Sequence, residues 1–204
     1  DASMKRVLLI NPYYPISETP SPPLGLAYLA GALEAAGVET RILDLVVMPH
    51  EGPEPLARAL ADFQPQLVGV TAVTMNIHEA LAAVRQVKAA DPGIVTVLGG
   101  PHATFRAAET LDETPALDLV VRGEGEATLV ELAAAGARPA AWGKIPGLTF
   151  RSKGGTVATA DRALIEPLDN LPPPARHRVP LGRYRTLGMP VSITTSRGCP
   201  FRCV

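Results

Sequence analysis

Two groups of residues in this 204-residue chain have types and spacings that could do chemistry. The first is its pair of cysteines. Cys199 and Cys203 are the only two, spaced C-x3-C after Thr195-Ser196-Arg197-Gly198. A thiolate is a soft metal ligand. The spacing alone reads equally well as two free thiols, and two cysteines make no disulfide framework. The second group is a set of loops: Asn11-Pro12-Tyr13-Tyr14-Pro15, Thr71-Ala72-Val73-Thr74, Gly99-Gly100-Pro101-His102 and Arg122-Gly123-Glu124-Gly125-Glu126. Gly99-Gly100 leaves out two Cβ atoms and lets backbone approach a ligand closely. None of these loops is a G-x-G-x-x-G or Gly-Lys-Ser/Thr phosphate cradle. Glu124 and Glu126 set carboxylates where a dinucleotide or NTP would set phosphates, which disfavours both ligands. The loop 11–23 lacks the hydroxyl-rich phosphate loop that flavin mononucleotide usually needs.

The elements that must position these loops follow from hydrophobic periodicity. Residues 5–11 carry Val7-Leu8-Leu9-Ile10, a continuous apolar run that fits a strand buried on both faces. Further strands are expected at 38–45, 67–71, 94–98 and 117–121. Helices are expected at 24–36, 55–63, 77–90, about 103–111 and 126–135, with Gly37 stopping the first. Five strands alternating with five helices on short connections specify an α/β fold. It is a doubly wound, five-stranded parallel sheet, Rossmann-like or flavodoxin-like, in the order 2-1-3-4-5, too short for an eight-stranded barrel. On such sheets ligands sit outside the carboxyl ends of the strands, where all four loops lie.

Beyond Gly136 the pattern changes. Residues 147–152 and 156–159 flank Lys153-Gly154-Gly155 as a β-hairpin. Residues 168–190, rich in proline and arginine and without a period, read as a linker crossing a surface. Residues 191–195 read as one more strand, feeding the cysteine loop. The organisation expected is a ligand-binding domain at 4–140, a hairpin and linker at 141–190, and the start of a further domain at 191–204. A strand that runs into a cysteine loop at the terminus reads as the front part of a longer protein. The opening Asp1-Ala2-Ser3 before Met4 reads as a cloning scar.

Composition narrows the class. The 19 basic and 20 acidic residues balance to a net charge of −1, whereas a nucleic-acid binder carries a basic excess. No apolar run approaches the ~18–20 residues of a membrane helix, and the start has no secretory h-region, so a cytoplasmic location is expected.

Thr195-Ser196-Arg197-Gly198-Cys199-Pro200-Phe201-Arg202-Cys203-Val204 resembles the start of the radical S-adenosylmethionine motif C-x3-C-x2-C. Pro22-Pro23-Leu24-Gly25-Leu26-Ala27-Tyr28-Leu29-Ala30, Gly99-Gly100-Pro101-His102-Ala103-Thr104 and Val121-Arg122-Gly123-Glu124-Gly125-Glu126 are similar to the amino-terminal cobalamin-binding domain of B12-dependent radical S-adenosylmethionine enzymes. Leu171-Pro172-Pro173-Pro174-Ala175-Arg176 looks most like the branch of the anaerobic magnesium-protoporphyrin monomethyl ester cyclases. The resemblance covers nearly the whole chain. It implies a base-off cobalamin whose dimethylbenzimidazole tail enters a cleft along the sheet. The cofactor contacts it implies are Tyr13, Pro23, Leu24, Thr71, Val73, Thr74, Gly99, Gly100, Pro101, His102, Gly123, Glu124 and Gly125. Gly99-Gly100 matches one cobalamin motif, and Thr71 sits where another places a base-contacting hydroxyl. No histidine follows the first strand, so the usual lower axial ligand to cobalt is absent.

The same resemblance makes Cys199 and Cys203 two of three thiolate ligands to a 4Fe–4S cluster that binds S-adenosylmethionine. The third ligand falls just past Val204, so cluster, S-adenosylmethionine and catalysis belong to a full-length parent. Its partners would be its own carboxyl-terminal radical barrel and a reductant protein, with neither nucleic acid nor membrane. The parent chemistry implied is methyl transfer, cyclisation or rearrangement at an unactivated carbon through a 5′-deoxyadenosyl radical. The alternative is a stand-alone flavodoxin-like module carrying a corrinoid or a flavin. A phosphate-accepting receiver is excluded, because Asn11-Pro12 and Thr71-Ala72 stand where it needs acidic residues.

Overall fold

A computed structural model describes residues 3–14, 20–48 and 54–198. The first strand, β1 (Arg6–Asn11), is the apolar run expected, and Val7, Leu8, Leu9 and Ile10 are at most 1% exposed. Alternation sends Val7 and Leu9 into one hydrophobic cluster and Leu8 and Ile10 into another, on opposite faces of the sheet. The chain continues through α1 (Leu24–Ala35), β2 (Glu39–Asp44), α2 (Pro55–Phe63), β3 (Leu67–Thr71), α3 (Ile77–Ala90) and β4 (Val95–Gly99). Then come α4 (Pro101–Phe105), α5 (Ala107–Glu113), β5 (Leu119–Val121), α6 (Glu126–Ala135) and α7 (Pro139–Trp142). The hairpin β6 (Leu148–Ser152) and β7 (Gly155–Ala158) precedes α8 (Leu181–Thr186).

The sheet order is β2-β1-β3-β4-β5-β6-β7. Its first five strands are parallel and in the expected order. The sheet nevertheless has seven strands, not five. The hairpin adds to the edge of β5 in antiparallel register, Leu119 opposite Phe150 and Val121 opposite Leu148. Leu148 and Phe150 are buried there, with Phe150 meeting Trp142 edge-on at 5.7 Å between ring centroids. Arg151 anchors the addition by donating to the carbonyls of Leu111, Thr114 and Leu117. Helices α1 and α6 cover one face of the sheet, while α2, α3 and α5 cover the other.

Two local expectations need correction and one gains detail. The helix expected near 103–111 is two helices broken at Arg106, whose φ of −123° is not helical. Segment 168–190, read as a linker crossing a surface, has local structure of its own. It carries two 3-10 turns and α8, and docks through Ala175, Val179 and Tyr184, all buried. Residues 191–195 form no strand, because no neighbour among the described residues offers them a ladder.

Candidate cofactor site

At the carboxyl ends of the parallel strands, on the face covered by α1 and α6, lies a cavity of about 760 Å³. Its origin is visible in the strand alternation. Leu67, Gly69 and Thr71 share one face of β3 and stand in register with Val95, Val97 and Gly99 on β4. At Gly69 and Gly99 the face that should fill the space under α1 carries no side chain, so a slot opens. Its floor and walls are apolar: Leu9, Val97, Val121, Leu26, Leu29 and Leu129. Its mouth is polar, with Asn11, Ser21, Thr71 and the Gly123-Glu124-Gly125-Glu126 turn.

The two glycines after β4 do different jobs. A Cβ on Gly99 would meet only the Val121 carbonyl, at 3.8 Å, so Gly99 leaves open space. Gly100 sits at φ +96°, and a Cβ there would lie 2.6 Å from the Ala72 carbonyl and 3.0 Å from the Thr71 hydroxyl. Gly100 is required for the close packing of two strand exits. The exits are also stitched together: Ala72 N–H donates to Gly99 O at 2.9 Å and His102 N–H to Ala72 O at 3.3 Å. Thr104 donates to Gly100 O at 3.0 Å and accepts from Gly123 N–H at 3.1 Å, which brings the β4 and β5 exits to one rim.

Nine of the thirteen expected contact residues line the slot: Pro23, Leu24, Thr71, Gly99, Gly100, Pro101, Gly123, Glu124 and Gly125. The hydroxyl of Thr71 has no protein hydrogen-bond partner among the described residues and is free for a ligand. The other four do not line it. Val73 borders a smaller adjoining cavity of about 280 Å³ with Asn11, Tyr14 and Thr71. Thr74 and His102 bond each other, Oγ1 to Nδ1 at 3.1 Å, and Tyr13 is 41% exposed. These four occupy the strand-end rim, with Met75 and Phe105 exposed nearby in sequence. Cys199 and Cys203 lie outside the described residues.

The structure adds residues that the loop motifs did not single out. Gly69 was hidden inside an apolar strand, where an isolated glycine was itself the signal of a close approach. Tyr28 and Arg197 line the slot together, the guanidinium 4.8 Å from the ring centroid. Arg197 also bonds Glu126 at 2.7 Å and Glu124 at 3.3 Å. Burial by itself would lower the guanidinium's affinity for its proton, but both carboxylates outweigh it and hold it charged.

The lining admits a largely apolar group, with polar partners at the mouth. No cluster of metal-ligating side chains occurs among the described residues. No described helix is long and apolar enough to cross a membrane.

Comparison with known proteins bears on the family and the fold. Residues 17–133, more than half of the chain, match the family model of the B12 binding domain. An uncharacterized methyltransferase, PH0819, of Pyrococcus horikoshii is 36% identical over 187 residues, covering 91% of this chain and 40% of that protein. The anaerobic magnesium-protoporphyrin IX monomethyl ester cyclase of Cereibacter sphaeroides is 34% identical over 191 residues, covering 89% and 31%. This chain thus spans well under half the length of these two relatives. Among solved structures, the radical S-adenosylmethionine methyltransferase TsrM of Kitasatospora setae, with cobalamin and a 4Fe–4S cluster bound, aligns at a TM-score of 0.66 and 25% identity. That alignment covers 83% of this chain and 31% of TsrM. The cobalamin-dependent radical enzyme OxsB, with aqua-cobalamin and S-adenosylmethionine bound, shares the fold at a TM-score of 0.77 and 18% identity, over 96% of this chain and 27% of that one. By the extent of the family match, the chain belongs to the B12-binding domains, whose ligand is cobalamin.

Proposed function

We propose that this chain is the cobalamin-holding part of a radical S-adenosylmethionine enzyme, and that the slot beneath Gly99 takes the nucleotide tail of a base-off cobalamin. The observation that carries the reading is the pair Gly69 and Gly99 on one face of neighbouring strands, which opens an apolar slot at the ligand-binding end of the sheet. The residues present fit the group. Leu9, Val97, Leu29 and Leu129 offer apolar surface to a flat heterocycle, Thr71 offers it a free hydroxyl, and the glycine turn after β5 offers backbone at the mouth. Tyr13, Val73, Thr74 and His102, on the rim, face the bulkier ring of the ligand. Bound cobalamin supplies a cobalt centre able to carry and release a methyl group. This chain's residues bind, orient and shield it.

The parent would perform methyl transfer, cyclisation or rearrangement at an unactivated carbon, with Cys199 and Cys203 as two of the thiolates of its cluster. Both named relatives and TsrM support this class, since they are a methyltransferase, a cyclase and a radical methyltransferase by name. The remaining barrel and a reductant protein complete the parent in this reading, which places it in the cytoplasm.

The test is titration with hydroxocobalamin, followed by the absorbance change that accompanies displacement of the tail base from cobalt. Wild-type protein is expected to bind one equivalent. Gly99→Val puts side-chain atoms into the slot, its Cβ in ordinary contact with the Val121 carbonyl at 3.8 Å, and is expected to weaken binding by at least about tenfold, roughly 1.4 kcal/mol. Equal affinity in that variant, or a purified protein carrying a flavin spectrum instead, would sink the assignment.

A further inference from the structure

Glu124 and Glu126 pose an electrostatic problem. Both line the slot, their side chains only 17% and 7% exposed, and the ligand inferred for it carries a phosphodiester in its tail. Two buried carboxylates at the mouth would repel that charge and pay heavily for their own desolvation. Arg197 answers both. It bonds Glu126 at 2.7 Å and Glu124 at 3.3 Å and lies over Tyr28, so it sits at the centre of a wall made from α1, the β5 exit and the segment 191–198.

Among the described residues little else holds that segment. It forms no ladder with them, Ile193 is 78% exposed and Val191 42%, and Arg176 donates to Ser192 O at 2.6 Å. Yet Ser192 and Thr194 line the slot along with Arg197. The outer wall of the cavity is therefore a strap fastened chiefly by one side chain, two positions before Cys199 in sequence. Glu124 is fixed in turn, its other oxygen accepting from Ile165 N–H at 2.7 Å.

We propose that Arg197 is a latch with two linked effects: it cuts the charge of the Glu124 and Glu126 pair from −2 to −1, which lowers the repulsion an anionic tail meets at the slot, and it docks segment 191–198 as the slot's outer wall. Occupancy of the slot and docking of the strap are then one coupled equilibrium, and each must favour the other by the same factor. Loading the ligand orders the approach to the cysteine loop. The inference rests on the cobalamin reading, and Arg197 acts as a positioning residue.

The test compares wild type, Arg197→Gln and the triple variant Glu124→Gln/Glu126→Gln/Arg197→Gln in two measurements. The first is the affinity for hydroxocobalamin and for cobinamide, which lacks the nucleotide tail and its base. Arg197→Gln is expected to weaken cobalamin by about tenfold or more, as for a charge pair left half-buried and unpaired, and to leave cobinamide within about twofold. The triple variant, with no charge left at the mouth, is expected to recover most of the cobalamin affinity. The second is limited proteolysis within 189–198 by a protease of broad specificity. Without ligand, cleavage there is expected to be slow in wild type and faster in Arg197→Gln; cobalamin is expected to slow it further in wild type only. If wild type binds neither corrinoid, the cofactor reading fails while the proteolysis comparison still decides the docking role. If wild type binds cobalamin and Arg197→Gln matches it in affinity and cleavage, the latch is overturned. An equal loss of both corrinoids overturns the charge role.

Discussion

The phenol of Tyr184 donates a 2.6 Å hydrogen bond to Oδ2 of Asp44, joining α8 to the end of β2 across 140 positions of chain. Both residues are at most 2% exposed. The other oxygen of Asp44 accepts from Asn11 Nδ2 at 2.9 Å and from Val46 N–H at 3.3 Å. Asn11 lines the cofactor slot. Two hydrogen bonds therefore connect the docked linker to the slot's mouth. Burial raises the pKa of Asp44 above its ordinary value, and the bonds from Tyr184 and Asn11 oppose that rise without cancelling it. Burial and the neighbouring Asp44 hold the Tyr184 phenol in its neutral, donating form.

A pH dependence follows, with a definite sign. The folded state holds the Asp44 proton more tightly than the unfolded chain does. Its contribution to stability is present in full below the unfolded pKa, 3.8, and is lost as pH rises through the higher folded value. Asp44→Asn carries no such loss. The melting temperature of Asp44→Asn minus that of wild type is expected to rise as pH is taken from about 3.5 to about 7. A difference flat across that interval would show that burial does not govern this carboxyl. At fixed pH, Tyr184→Phe leaves a buried acceptor short of a donor and is expected to cost about 1–3 kcal/mol in denaturant unfolding.

A second prediction concerns Gly31 in α1. Glycine inside a helix normally costs up to about 1 kcal/mol against alanine. Here a Cβ would lie 2.3 Å from the Pro173 carbonyl, where the linker crosses α1 and Ala175 N–H donates to Ala27 O at 2.8 Å. The sign reverses. Gly31→Ala is expected to destabilise the protein and to open segment 171–187 to limited proteolysis. An unchanged or higher melting temperature, with the linker still resistant, would overturn this.

Legibility in the sequence tracked how much each element owes to its own pattern. Strands β1 and β3 carry continuous apolar runs, β4 is apolar but for the buried Thr96, and their parallel order follows from the helices between them. Gly99 and Gly100 were legible as a close-approach pair, but only coordinates separate their roles: one leaves space, the other relieves Ala72. Gly69 passed unmarked because the apolar run around it reads as an ordinary strand. Segment 168–190 has no period because it is held by scattered points, Ala175, Val179 and Tyr184, each meeting a partner far away in sequence. Residues 191–195 look like a strand in Val-Ser-Ile-Thr-Thr, yet a strand needs a neighbour's ladder, and among the described residues none is offered. Arg197 was legible as part of a cysteine motif. Its bonds to Glu124 and Glu126, more than 70 positions away, were not.

The last prediction concerns what cobalt does not meet. Neither cavity at the strand ends is lined by a histidine among the described residues. The loop after β1 has none in its sequence. His102, on the rim, is engaged through Nδ1 with Thr74, and His177 is 63% exposed beside Glu34. A neutral imidazole is a ready ligand wherever one can reach a metal, so the composition of the mouth is a direct constraint. With the tail base in the slot, as proposed, no histidine among the described residues lines either cavity, and His50 lies outside those residues. The electron paramagnetic resonance spectrum of the Co(II) form bound to this protein is expected to show cobalt hyperfine lines without the threefold nitrogen splitting. A resolved nitrogen triplet would contradict this directly. Its disappearance in His102→Ala would then name the rim histidine as the ligand; its persistence there, together with its loss when cobinamide, which lacks the base, replaces cobalamin, would mean that the tail base had stayed on cobalt and the slot was not its seat.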